Sequence, residues 1–394
     1  MHWLSVYGHI EGDDPVRLSC QQEDLQRALG HVSRAVAKKS TLPVLGNVLI
    51  AAEQGRLKLA ATNLEIGITA WIDADIEDEG SITVRSDLLT DFVASLPNDR
   101  VTIDVDRRTL NVALTCARSK AHIRGIPPED FPVLASIGSG PPSARIEPST
   151  FRDMVAHVAF SAATDDSRPV LAGVLAEFEG GMLTLAAADG FRLSVRRAEL
   201  AAPTEQDFSI IIPAKALQEL ARIIADQEEP VDLAVTPNQS QLLARAGSFE
   251  FLSRLIDGHF PNFRQIVPQR YGTRTILNRD EFLAAARRAK LFAQSNNDIV
   301  RIQMNPGDGD LDPGFTTISA QAAETGDNED YLEASVEGPQ AQIAFNGRFL
   351  TDVLAVMKGP QVALEVTGPN AAGVLKPVGS DDFTHVIMPM VIGT

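Results

Sequence analysis

Laid over itself at an offset of 126 residues, the chain repeats. Pro43-Val44-Leu45 falls on Pro169-Val170-Leu171, Val48-Leu49 on Val174-Leu175, and Glu53 and Gly55 on Glu179 and Gly181. Leu57, Leu59, Ala60 and Ala61 fall on Leu183, Leu185, Ala186 and Ala187. From Pro43 to Ala61 the two segments share 11 of 19 residues without a gap, which chance does not explain. Self-similarity of this kind means one structural unit used more than once, so the fold must be a multiple of that unit.

The unit can be read from hydrophobic spacing. Leu25, Leu29 and Val32 fall on Phe151, Val155 and Val158, both at the i, i+4, i+7 spacing of an amphipathic helix, and Phe282, Ala286 and Ala289 give a third copy. A second helix type also recurs three times: Leu89, Phe92, Val93 and Leu96; Leu217, Leu220, Ala221 and Ile224; Leu350, Val353, Leu354 and Met357. Each follows a strand-like stretch (Ile82–Val84, Ile210–Ile212, Gln342–Phe345), and Ser86, Pro213 and Asn346 stand where a cap or a first-turn proline belongs. Period-two alternation fills the intervals, as in Val101–Val105, Leu110–Leu114, Val231–Val235 and Val362–Val366. The expected unit is α+β: two helices packed on antiparallel sheets. Expected boundaries are an unassigned extension at 1–15, then units at 16–141, 142–262 and 263–394. The segment Asn305–Asp310 and the acidic run Glu324–Glu333 interrupt the third unit and are expected to be solvated loops, since the acids lack the ligand spacing of a calcium loop.

Composition narrows the function. With 35 Lys+Arg against 52 Asp+Glu the net charge is −17, the wrong sign for a protein that grips nucleic acid by bulk charge. Two cysteines, Cys20 and Cys116, exclude a disulfide framework and fit a reducing compartment. No signal peptide or membrane-length apolar run is visible, so a cytoplasmic location is expected. The seven histidines show no metal-ligand spacing, and no phosphate-binding loop or nucleophile elbow occurs, so no metal, cofactor or catalytic activity is expected. Asp165-Asp166 with Asp189 is the one acid cluster an enzyme reading could use, and such residues are more often turn residues.

Four separated motifs carry a family resemblance: Thr41-Leu42-Pro43-Val44-Leu45-Gly46-Asn47, Ala188-Asp189-Gly190-Phe191-Arg192-Leu193, Asp257-Gly258-His259-Phe260-Pro261-Asn262-Phe263-Arg264, and Met388-Pro389-Met390. In order and spacing, from about residue 16 onwards, the chain resembles the bacterial DNA polymerase III beta subunit, the beta sliding clamp. The resemblance implies three DNA-clamp domains per chain and a head-to-tail dimer closing a six-domain ring. Twelve helices spaced at about 9–10 Å would line a circle roughly 36 Å across at their axes, leaving a hole of about 25 Å. Duplex DNA of about 20 Å passes through such a hole. A ring holds DNA by topology, so an acidic exterior with a few basic residues inside suffices. The implied partners are double-stranded DNA, the polymerase III alpha subunit, the clamp loader and other replication and repair proteins. A clamp-like paralogue acting only as a peptide-binding scaffold is the alternative.

The resemblance also nominates sites. Lys38, Lys39, Arg152, Arg168, Lys215 and Arg222 are the expected DNA-facing residues, with Arg34, Arg287, Arg288, Lys290 and Arg348 as further cations; each alone could be an ordinary solvated charge. Asp87 and Asp91 stand where the family often has a basic residue. Partner peptides are expected in a groove between the second and third domains formed by Leu171, Gly190, Phe191, Arg192, Leu193, Pro261, Ile266, Val386, Ile387, Met388, Pro389 and Met390. Leu171, Leu193 and Val386 could equally be core. Ala188, Phe191, Gln265 and the ending Val391–Thr394 depart from the family pattern and bear on peptide preference. The dimer seam is expected to join the edge strand at Ala121 and Ile123 to Phe292 and Ala293 of a second copy; Phe292 could instead be helix core.

Overall fold

The computed structural model describes residues 16–138, 140–165, 167–307, 314–323 and 326–391. The extension at 1–15, Asp166, part of each third-unit interruption and the last three residues lie outside them.

Over the first half of the first two units the repeat holds element by element. The helix Gln22–Val32 (α1), the short 3-10 turn Pro43–Gly46 and the strands Asn47–Glu53, Arg56–Thr62 and Ile66–Asp73 recur as Pro148–Val158, Pro169–Ala172, Gly173–Glu179, Met182–Ala188 and Arg192–Glu199, every boundary displaced by 126. Six helices of more than one turn occur among the described residues: α1, Ser86–Ala94 (α2), Pro148–Val158 (α3), Ala214–Ile223 (α4), Arg279–Ala293 (α5) and Gly347–Val356 (α6). They pack in the pairs α1–α2, α3–α4 and α5–α6. The predicted apolar stripes are the packed faces: Leu25, Leu29 and Val32, Phe151, Val155 and Val158, and Phe282, Ala286 and Ala289 are all buried. Burying faces of this kind is what holds such short helices in place.

Capping follows the sequence in part. Asn346 caps α6, its side chain accepting from the backbone N–H of Arg348 and Phe349, and Asn278 caps α5 in the same way. Ser86 is instead the first helical residue of α2, and Pro213 stands one residue before α4, where its fixed φ suits the extended turn into the helix.

The strands form two antiparallel sheets. One of thirteen strands contains those of the first repeat; the strand Phe249–Arg254 of the second repeat pairs with Ile66–Asp73 and brings Gln241–Ala246 and Val231–Val235 with it. The other, of twelve strands, is continuous from the second repeat into the third because Arg192–Glu199 pairs with Phe383–Ile387. The chain accordingly divides into two compact units, one running to Arg145 and including Asp226–Arg254, the other comprising Ile146–Ala225 and Leu255 onwards.

The acidic run corrects the sequence reading. It is not a loop: Gly326–Glu337 is a twelve-residue strand, paired through Gly326–Glu333 with Phe315–Ala322 and through Ala334–Glu337 with Arg274–Leu277. Leu332 and Ala334 point inward while Asp327, Glu329 and Glu333 are exposed, so charge on one face masked a period-two strand.

Candidate functional site

In the second unit two of the nominated groove residues, Leu193 and Val386, join one apolar cluster. Its buried floor consists of Leu175, Ala186, Ala188, Leu193, Val195, Ile211, Phe263, Val374 and Val386, with Val170, Ile256, Phe260, Val267 and Ala372 half-buried against it. Antiparallel pairing sets the register: Arg192, Leu193 and Ser194 stand opposite Ile387, Val386 and His385. Leu193 and Val386 are fully buried in this cluster and Ile387 in the third-repeat core, so all three are interior residues rather than exposed ligand contacts.

The rim is exposed and apolar. Phe191 is 61% exposed, Met388 43% and Ile266 41%. Leu171 is half-buried and Pro261 exposed. The C-terminal tail is docked by its backbone: Met388 N–H donates to the Phe191 carbonyl at 2.8 Å, and Met390 N–H to the Ala344 carbonyl at 2.8 Å. Pro389 and Met390 are half-buried, whereas Val391 is exposed. The segment carrying Pro261 and Ile266 is tied down by Arg264, which lies over the Phe263 ring at 4.7 Å and donates two bonds to Glu177 at 3.0 and 2.7 Å. Those bonds hold the Arg264 guanidinium above its ordinary pKa.

The turn at the rim is built by Asp189, whose Oδ1 accepts from the N–H of Phe191 at 2.9 Å and of Arg192 at 3.0 Å. The first repeat builds the same turn with Asn63, accepting from Glu65 and Ile66 at 3.0 and 2.8 Å. There Leu64 holds a φ of 74°; at the matching position Gly190 holds 94°. Since leucine can adopt the turn, glycine at 190 answers a second need. A Cβ there would sit 2.9 Å from Arg168 Nη1, and Arg168 Nη2 donates to the Asp189 carbonyl at 3.0 Å.

Arg168, expected from the resemblance among the DNA-facing residues, thus lies against the turn at Asp189 and Gly190. Of the remaining DNA candidates, Lys215 and Arg222 are exposed on one face of α4, two turns apart, with Arg222 paired to Glu219. Arg152, exposed on α3, donates to the Ala225 carbonyl at 3.1 Å. Lys38 and Lys39 are exposed in the loop after α1. Arg287 and Lys290 line a cleft of about 370 Å³ between α5 and α6 together with Leu291, Gln294, Thr351, Asp352 and Ala355. Arg288 is instead bound bidentately by Asp330 at 2.6–3.2 Å.

Two nominated seam residues prove to be interior. Ala293 is fully buried in the third-repeat core, and Ile123 is 4% exposed. Phe292 is half-buried against that core. The exposed apolar residue on this end of α5 is Leu291, at 67%. Its position was recoverable from sequence: with Phe282, Ala286, Ala289 and Ala293 inward, Leu291 falls on the opposite face.

Behind the groove floor lies a buried polar chain: Ser161 Oγ to Ser194 Oγ at 2.8 Å, and Ser194 Oγ to His385 Nδ1 at 2.7 Å. His385 Nε2 has no hydrogen-bond partner among the described residues. Burial first, and then the positive charge of Arg192, push the His385 pKa down to about 3. Among the described residues no group of three or more His, Cys, Asp or Glu side chains could hold a metal, and no helix is long and apolar enough to cross a membrane.

Three pairs of helices on antiparallel sheets, with the second and third repeats joined through one continuous sheet, define a DNA-clamp-type scaffold. Models of the DNA polymerase III beta subunit match its N-terminal domain to residues 16–135, its central domain to 145–262 and its C-terminal domain to 264–391. The chain is 30% identical to the beta sliding clamp of Synechococcus elongatus, with 95% of this chain and 99% of that one covered. It is 32% identical to that of Pseudomonas putida, with 95% and 100% covered. The DNA polymerase sliding clamp of Bacillus subtilis superposes with a TM-score of 0.91 at 26% identity, covering 96% of this chain and all of that one. A Pseudomonas aeruginosa sliding clamp bound to griselimycin superposes with a TM-score of 0.87 at 29% identity, with 96% and 100% covered. The chain belongs to the bacterial DNA polymerase III beta subunit family, the beta sliding clamps.

Proposed function

We propose that two copies of this chain close head to tail into a ring around duplex DNA, and that the groove tethers the replicative polymerase through a short peptide. The protein works without catalysis, in the cytoplasm: it supplies topology and a docking site, and the clamp loader and repair proteins use the same groove. The observation that carries the reading is the groove itself, an apolar floor with Phe191, Met388 and Ile266 left exposed at its rim. Such a rim suits Leu and Phe anchors on a linear peptide, and methionine adapts to several ligands. Leu171, Gly190, Pro261, Pro389 and Met390 complete it, with Arg168 at its edge. Similarity along the full length of the curated relatives favours the complete clamp over a scaffold that has lost encirclement.

Edge strands support the ring. In the first repeat, residues 119–124 pair on one side only among the described residues, with Asn111–Cys116, and expose Lys120 and Arg124. In the third, residues 326–333 pair on one side only among the described residues and expose Asp327, Glu329 and Glu333. Two different unpaired edges of opposite charge make a heterologous contact, which closes a ring when used twice. Ala121, Phe292 and Leu291 flank this seam. Inside the ring, Lys38, Lys39, Arg152, Lys215 and Arg222 offer weak phosphate contacts that exchange as the clamp slides.

The test is deletion of Met388–Thr394. Binding of a fluorescein-labelled C-terminal peptide of the cognate polymerase alpha subunit is expected to be lost, while sedimentation still reports a dimer. Undiminished peptide binding refutes the groove assignment.

A further inference from the structure

The rim turn is fixed from behind. Arg192 ends it and is only 8% exposed. Its Nε donates to Asp189 Oδ2 at 3.0 Å, its Nη1 to Asp352 Oδ2 at 2.8 Å and its Nη2 to the Phe160 carbonyl at 2.7 Å. The guanidinium carbon lies 5.3 Å from the centre of the Phe160 ring and 4.4 Å from that of Phe349. All three nitrogens are engaged by protein, and aromatic rings occupy its stacking positions, so little of the group remains for a ligand.

The first repeat shows what this arginine is not needed for. There Asn63 and Ile66 stand in place of Asp189 and Arg192, and the same turn forms with no cation. The ion pair therefore does not make the turn. What it adds is attachment: Asp189 is tied through Arg192 to Asp352 and Phe349 on α6 and to Phe160 after α3. Asp352 belongs to the α5–α6 cleft, with Arg287 and Lys290 among its neighbours there and Arg348 Nε at 4.0 Å.

We propose that Arg192 is a positioning residue rather than a peptide contact, and that Asp352 on α6 sets the Asp189–Phe191 rim through it, so that a residue outside the groove governs peptide affinity. This rests on the peptide-groove reading. A buried arginine with a planar fork fixes geometry in a way a lysine cannot, and removing Asp352 leaves its Nη1 without that acceptor while Asp189 still holds its Nε.

The experiment is fluorescence polarisation of the same labelled polymerase peptide on the full-length protein. Asp352→Ala and Arg192→Ala are each expected to weaken binding by about tenfold, and the double variant by no more than either alone, the signature of one coupled unit. Asp352→Asn, which keeps the acceptor, is expected to stay within about threefold of wild type. Leu89→Ala, a core truncation in the first repeat, is expected to lower the melting temperature without changing affinity, which separates positioning from general destabilisation. If Asp352→Ala does not fold, Arg192→Lys stands in, with a loss of about tenfold expected from the missing fork. Wild-type affinity in Asp352→Ala or its stand-in, additive losses, or an equal loss in Leu89→Ala overturns the inference. A wild-type protein that does not bind the peptide at all overturns the groove reading, and this inference with it.

Discussion

Protonation of one buried side chain gives a stability signature that can be calculated. His385 is fully buried between the second and third repeats, bonded through Nδ1 to Ser194 and stacked on Phe160. Its pKa is pushed from 6.5 down to about 3, by burial first and by Arg192 second. The folded protein thus keeps this imidazole neutral at pH values where the unfolded chain has already taken up a proton. Stability from this group is fully present above about pH 6.5 and is lost as pH falls towards about 3. At pH 5 the unfolded chain is favoured by ~2 kcal/mol relative to pH 7, from about 1.4 kcal/mol for each pH unit below 6.5. For a unit of some 200 residues that is a fall of roughly 4–8 °C in melting temperature. The assay is thermal melting of wild type and His385→Asn at pH 7 and pH 5. Asparagine keeps an oxygen near the place of Nδ1 and cannot be protonated. His31 and His157 are also held below their ordinary pKa by burial, but both remain in the variant, so the difference in pH dependence isolates His385. Equal losses in the two proteins would refute the reasoning.

Two further outcomes follow from the geometry. Leu291→Asp places a charge on the exposed apolar end of α5 beside the acidic edge strand; sedimentation velocity is expected to show monomers at micromolar concentration with the melting temperature little changed, and an intact dimer counts against the seam. Gly190→Ala imposes a positive φ on a residue with a Cβ and crowds Arg168, so a stability loss of about 1 kcal/mol and several-fold weaker peptide binding are expected, measured by melting and polarisation.

Much of the fold was legible because the repeat is a statement about structure rather than about any one residue. Once Pro43–Ala61 lay on Pro169–Ala187, the spacing of Leu25, Leu29 and Val32 could be checked against Phe151, Val155 and Val158, and all six are buried. The failures have local causes. The strand Gly326–Glu337 was hidden because its exposed face is acidic and its inward face holds small or single apolar residues. The direction of the Arg168 side chain was not legible, because sequence reports charge and not direction; the turn at Asp189 shows where the guanidinium goes. Ala293 and Leu291 are two positions apart and lie on opposite faces of α5, a distinction carried by helical phase alone. Arg192 stands within a groove motif yet points into the protein, because Asp352, 160 residues further along the chain, is its partner.

The central claim is that this protein holds DNA by enclosing it. It is tested most directly by loading the labelled clamp onto nicked circular DNA with its cognate loader, removing free protein, and then cutting the circle once. Retention on the intact circle at moderate salt and rapid loss after the cut is the expected result. Equal retention on circular and linear DNA, or no retention on either, contradicts enclosure.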